Sequence, residues 1–131
     1  MDATLVRTAM SPGIREQGDA FPLIADAKGK MIVGQFGSYI GPFLEEYEGT
    51  VEDGDMIFLS DPYSVGGAIS HCNDWLVLLP VFRDGRLVAY TSMFGHQSDI
   101  GGKVVGSMPI NARSIFEEGV RIPPVKIWKK G

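Results

Sequence analysis

Trp75-Leu-Val-Leu-Leu-Pro-Val-Phe82, Arg83-Asp-Gly-Arg86 and Leu87-Val-Ala-Tyr-Thr-Ser-Met-Phe94 decide the fold class. Two apolar runs of strand length flank a polar turn whose Asp84-Gly85 pair suits a tight hairpin. The first run has no polar interruption and reads as a central strand buried on both faces. The second returns as its partner. A hairpin of this length brings its outer ends together, which sets Asp74 and Trp75 opposite His96.

Working outward, residues 20–26 and 30–36 are apolar and joined by Ala27-Lys28-Gly29, which predicts a second hairpin. Tyr39, Phe43 and Tyr47 recur four apart and predict a helix over 38–48 with one buried face. Pro42 fits near the start of that helix but not in its middle. Residues 2–10 read as a short helix broken by Ser11-Pro-Gly13. Glu52–Asp55 is a turn, Met56–Leu59 a short strand, and Ser114–Glu118 a helical turn that a glycine stops. Arg121–Val125 is extended, because each proline disfavours helix in the residue before it. The expected class is α+β: a mixed, mainly antiparallel sheet with hairpins at about 20–36 and 75–95 and a few short helices.

The chain has 131 residues, one domain's worth, and is read either as a single domain over 1–131 or as a fragment of a larger subunit. Its net charge of −4 and the lack of a basic stripe argue against nucleic acid. Lys126, Lys129 and Lys130 read as a solvated tail. One cysteine permits no internal disulfide, and with no signal-peptide pattern the expected compartment is the cytoplasm. No apolar run reaches spanning length, so no membrane segment is expected. Neither a phosphate loop nor a strand-linked dinucleotide fingerprint is present.

The only two histidines begin His71-Cys-Asn-Asp74 and His96-Gln-Ser-Asp99, one at each outer end of the main hairpin. Two neutral imidazoles and a carboxylate make a divalent-metal site with open positions. Asp74 begins a buried strand, where its charge needs a partner, so His71, Asp74 and His96 are the expected ligands. Asp99 is expected outside the ligand set, accepting a histidine N–H, or else turning its own loop. Asn73 offers an amide to a substrate carbonyl. Cys72 reads as a small buried filler. Glu16 and Asp19, in the polar stretch Arg15–Asp19, are candidate proton acceptors or a further ligand if that loop folds over the metal. Asp61 reads as the cap of a rigid turn.

The run Asp61-Pro-Tyr, Gly66-Gly67, His71-x-x-Asp74, Pro80-Val-Phe, Gly85-Arg-Leu-Val, Gly95-His96-x-x-Asp99-Ile-Gly-Gly, Ile115-x-x-Glu118-Gly and Ile122-Pro-Pro-Val-Lys126 resembles the hydantoinase B/oxoprolinase family. Ser11-Pro-x-Ile-Arg-Glu16 with Asp19 is similar to that family's N-terminal motif. The resemblance implies a B-type subunit of several hundred residues. It would work with the rest of its own subunit and with an A-type subunit that uses ATP, so ATP is expected at the partner and not on this chain. It implies opening of hydantoins, 5-oxoproline or other lactams, or carboxylation of a ketone. It also implies one divalent metal, manganese or zinc, on His71, Asp74 and His96, and an oligomeric assembly. Ala68-Ile69-Ser70 between the glycine pair and His71 departs from the hydantoin-opening members and leaves the lactam and ketone branches open. Two other readings of the residues remain: a non-haem iron oxygenase-like site with the same ligand types, and a structural or assembly module with packed histidines.

Overall fold

The computed structural model describes residues 2–35 and 37–129 of the chain. It contains one six-stranded, wholly antiparallel sheet with short helices beside it, an α+β architecture. The elements are α1 (Asp2–Thr8), α2 (Pro12–Gln17), β1 (Ala20–Asp26), β2 (Met31–Val33), α3 (Ile40–Glu46), β3 (Met56–Leu59), β4 (Asp74–Arg83), β5 (Arg86–His96) and β6 (Val125–Trp128), with 3-10 turns at Pro62–Val65 and Ile115–Glu117. Strand order is β2-β1-β5-β4-β3-β6, so the long hairpin β4–β5 is central.

Both expected hairpins form. In the first, Asp26 folds the turn by accepting the N–H groups of Lys28 and Lys30 at 2.9 Å. Gly29 has φ +80°, and a Cβ there would lie 2.5 Å from the Gly41 nitrogen, so the turn abuts α3 through a glycine that no other residue replaces without strain. The far end of the expected second strand, at Phe36, lies outside the described residues, as does Lys130. In the central hairpin Asp84 and Gly85 both adopt positive φ, 51° and 74°, as a two-residue turn requires.

One face of the sheet carries the core. Leu23, Ala25, Leu76, Leu78 and Tyr90 pack with Ile40 and Phe43 of α3 and with Ile57, Leu59, Val65 and Ile69. The Tyr39 hydroxyl donates to Ser92 Oγ at 2.7 Å, and Ser92 donates onward to the Val77 carbonyl at 2.6 Å, which ties α3 to the central strands. The expectation that β4 is buried on both faces needs correction. Asp74, Leu76, Leu78 and Pro80 are buried, whereas Trp75, Val77 and Leu79 are half-buried and Val81 is exposed. The reading of a solvated C-terminus is corrected at Lys126, while Lys129 is exposed as expected. Lys126 lies in β6 and its ammonium meets the buried Asp55 carboxylate at 2.7 Å. The sequence suggested only extended chain there; β6 pairs with β3 as an edge strand.

Candidate metal centre

Asp74 is the first residue of β4 and His96 the last of β5, and the two pair directly across the hairpin. His71 reaches the same point from the turn that leads into β4. The Asp74 Oδ1 atom lies 3.3 Å from His71 Nε2 and 3.2 Å from His96 Nδ1, and the two imidazole nitrogens are 3.3 Å apart. Three ligands held at about 2.0–2.2 Å around a tetrahedral ion stand about 3.3–3.6 Å from one another. The donor types and spacings therefore fit a divalent ion. Asp74 is buried and both imidazoles are largely covered. The hydrogen bond that His71 donates to the Asp74 carboxylate raises the His71 pKa above its ordinary value against the opposing effect of burial, with the charges of Asp74, Asp19 and Glu118 adding to the rise.

The N-terminal segment folds over this end of the sheet. Ser11 Oγ donates to the His96 carbonyl at 2.6 Å, and the His96 N–H donates to the Asp19 carbonyl at 3.0 Å. Asp19 Oδ2 stands 3.7 Å from His96 Nδ1. The structure thus brings Asp19 to the three expected ligands. Glu16 is placed otherwise: it is exposed on α2 and paired with Arg15 at 3.2 Å. A cavity of about 560 Å³ opens beside the cluster, walled by Asp19, Phe21, Tyr39, His71, Asp74 and Phe94. Its size is that of a small-molecule site, with polar groups at one end and aromatic rings along the wall. Tyr39 is no acid or base there, since burial lifts its pKa to about 12 and its hydroxyl is engaged by Ser92.

A model of the family described as hydantoinase B/oxoprolinase matches residues 1–131. The chain belongs to the hydantoinase B/oxoprolinase family. Curated relatives include the acetophenone carboxylase delta subunit of Aromatoleum aromaticum, 34% identical over 119 residues, covering 84% of this chain and 17% of that one. The caprolactamase subunit beta of Pseudomonas jessenii is 43% identical over 81 residues, covering 62% of this chain and 13% of its own length. The 5-oxoprolinase 1 of Arabidopsis thaliana is 31% identical, with 100% of this chain and 11% of that one covered. The chain thus spans only 11 to 17% of the length of these relatives. Among solved structures, the ATP-dependent caprolactamase of Pseudomonas jessenii superposes with TM-score 0.71 at 29% identity, over 98% of this chain and 26% of that one. A nucleotide-free acetone carboxylase superposes with TM-score 0.78 at 22% identity, over 97% of this chain and 18% of that one, which shows the shared fold.

In this hydantoinase B-type chain the residues around the ligand set have specific tasks. Asn73 is fully buried, and its amide donates to the Gln97 carbonyl at 2.9 Å and the Gly106 carbonyl at 3.3 Å. That amide clamps the two site loops together and is not offered to a substrate. The Asp99 carboxylate accepts from Gly101 N and Ser107 Oγ at 2.9 and 2.8 Å, and from Gly106 N at 3.4 Å. Those N–H groups and the hydroxyl hold its pKa below the usual range, so of the two roles open to it Asp99 takes the loop-turning one. Cys72 is fully buried. Burial first, with Glu118 and Asp61 adding, pushes its thiol up to about 11, so it is not a thiolate at neutral pH. Asp61 caps the Pro62–Val65 turn by accepting from Tyr63 N. Two contacts escaped the sequence reading. Ser11 was taken only as part of a helix break, and Ser70, whose Oγ lies 2.9 Å from His71 Nδ1, only as loop. A serine beside a candidate ligand is the one local signal available, and it is common.

Proposed function

We propose that the protein supplies the metal-binding part of an ATP-dependent enzyme that opens a cyclic amide or carboxylates a ketone. The observation that carries this reading is the convergence of His71 Nε2, Asp74 Oδ1 and His96 Nδ1 on one point beside a cavity. Family membership supports the reaction class, and the relatives' names, a caprolactamase, oxoprolinases and ketone carboxylases, supply the substrate range. His71, Asp74 and His96 would hold one divalent ion, manganese or zinc, which when bound polarises a carbonyl or supplies hydroxide. Ser70 Oγ, 2.9 Å from His71 Nδ1, would accept that nitrogen's proton when Nε2 ligates the ion. Ser11 and the Asp19 carbonyl fix the backbone of His96 from both sides. The Asp19 carboxylate, at the edge of the cavity, takes the proton released as substrate or water is activated. Glu16, the other sequence candidate for that role, would first have to leave Arg15 and turn inward. Phe21 and Phe94 wall the cavity and exclude water from an apolar ring or chain.

In this proposal ATP is used at an A-type partner subunit, within an oligomer that also includes the remainder of a B-type subunit; the subunit names of the relatives and the small share of their length that this chain spans support it. A single buried cysteine fits a reducing cytoplasm, and among the described residues no helix is long and apolar enough to cross a membrane. The test is reconstitution with an ATP-using partner, assayed with 5-oxoproline, caprolactam, hydantoin and acetophenone with bicarbonate. Turnover should need ATP and the divalent ion, and Asp19→Asn should lower kcat about 100-fold or more while the ion stays bound. ATP-independent turnover, or an Asp19→Asn protein with native kcat, would refute the scheme.

A further inference from the structure

Glu118 follows the Ile115–Glu117 turn, and its Oε2 atom is shielded from solvent with no hydrogen-bond partner among the described residues. A carboxylate oxygen removed from water and left unpaired is costly, so it calls for a compensating charge or donor. Its neighbour Glu117 has both, an ion pair with Lys103 and the Arg113 N–H at 3.3 Å. The guanidinium of Arg121 is turned elsewhere, over the rings of Phe116 and Tyr63 and toward Asp61. Glu118 and His71 line one small cavity of about 170 Å³ together with Ser107, Met108, Pro109 and Ile110.

The backbone leaves this placement little freedom. The Glu118 N–H donates to the Ile115 carbonyl at 3.0 Å, and the Val120 N–H donates to the Ile100 carbonyl at 2.9 Å. A Cβ on Gly102 would lie 2.5 Å from the Glu118 carbonyl oxygen, and one on Gly119, at φ +125°, 2.5 Å from the Ile100 oxygen. Two close backbone approaches, each open only to glycine, press Glu118 against the site loop.

From this we infer that Glu118 is an electrostatic positioning residue of the metal centre, acting through His71 and outside the ligand set, and that it receives its missing countercharge when a divalent cation binds. The inference rests on the metal-centre reading above. An anion behind a ligating imidazole raises the ligand's basicity and favours a doubly charged ion over a proton or a monovalent one. The same anion burdens the metal-free fold, so its removal has opposite effects on binding and on stability.

The experiment compares native protein, Glu118→Gln, Glu118→Asp and His96→Ala, using manganese and zinc in competition with a chromophoric chelator and thermal unfolding of the metal-free proteins. Glu118→Gln, nearly isosteric, should weaken both metals about tenfold or more. Its metal-free Tm should equal or exceed the native value. Glu118→Asp keeps the charge and should recover most of the lost affinity. Native affinity in Glu118→Gln, with metal lost in His96→Ala, overturns the inference and spares the metal-centre reading. Native affinity in both variants overturns the metal-centre reading itself. A metal-free Glu118→Gln protein that unfolds several degrees early, or fails to fold, also overturns the inference, because it would make Glu118 an ordinary structural contact.

Discussion

Removing His96 should abolish metal-induced stabilisation, and the size of that effect can be worked out. For a 131-residue chain the unfolding entropy is about 2.1 cal/mol/K per residue, or about 0.28 kcal/mol/K in all. A divalent ion at a hundred times its Kd stabilises the native state by about 2.7 kcal/mol. The ratio predicts a rise in Tm of about 10 °C for the native protein. His96→Ala deletes one of three atoms that stand 3.2 to 3.3 Å apart, and with it the contact to Asp74. If affinity falls about 100-fold, the same ion concentration yields only about 0.4 kcal/mol, a rise of under about 2 °C. The metal-free variant should itself lose about 1 kcal/mol, because Asp74 keeps one imidazole partner instead of two. The assay is scanning calorimetry with and without manganese or zinc, alongside elemental analysis of the dialysed proteins. Ligating nitrogens must be unprotonated, so the native shift should grow as pH rises through the histidine range. A His96→Ala protein that keeps both a rise of about 10 °C and one ion per chain would refute the ligand set.

Cys72→Ser should retain metal and most of the activity of a reconstituted assembly, at a cost of about 1–2 kcal/mol in stability for a hydroxyl in a buried thiol site. Complete loss of activity with fold and metal intact would instead make the thiol a nucleophile. Asp55 gives a pH signature: burial alone would raise its pKa, but the hydrogen bonds from Lys126 and the Glu52 N–H outweigh it and hold the carboxyl below its ordinary 3.8. Its stabilising contribution is therefore fully present above that value and is lost as pH falls through the lower folded one. Asp55→Asn should flatten the fall in unfolding free energy measured below about pH 4, whereas parallel acid limbs would show that the Lys126 pair contributes nothing there.

The central hairpin was legible because local signals agreed: strand-length apolar runs, a turn with two residues suited to positive φ, and polar flanks. The burial of β4 was not, because an unbroken apolar run looks alike whether its second face is covered fully or in part. Trp75 is half-buried with its ring edge-on to Phe58, their centroids 5.4 Å apart, so large apolar groups partly shelter one another there. Strand β6 went unread as a strand because Pro123 and Pro124 immediately precede it, and its pairing with β3 is a long-range choice. Of the site, His71, Asp74 and His96 could be named from residue type and the hairpin's length. Asp19 could be named only as an option, since nothing local says how the α2 segment packs. Glu118 was invisible in its present role, because its meaning depends on what its oxygen lacks.

Register links hairpin to site. At the turn Arg83 pairs with Arg86 and Phe82 with Leu87, but beyond a bulge Val81 pairs with Ala89, and the shift persists to Asp74 opposite His96. Val88 is the extra residue. Were Val88 paired in the ladder instead of bulged, the alternation would continue unbroken, Asp74 would oppose Gly95, and His96 would oppose Asn73. A one-residue slip also exchanges the faces of a strand. The burial pattern records the exchange: Leu87 packs on the core before the bulge, and Tyr90, Ser92 and Phe94 after it, an odd position followed by even ones. His96 continues the even set, so its imidazole leaves the sheet on the face from which Asp74 projects. The bulge, far from the candidate metal centre in sequence, is thus what places two of its three ligands side by side, and the apolar core that fixes which face is buried also fixes the site.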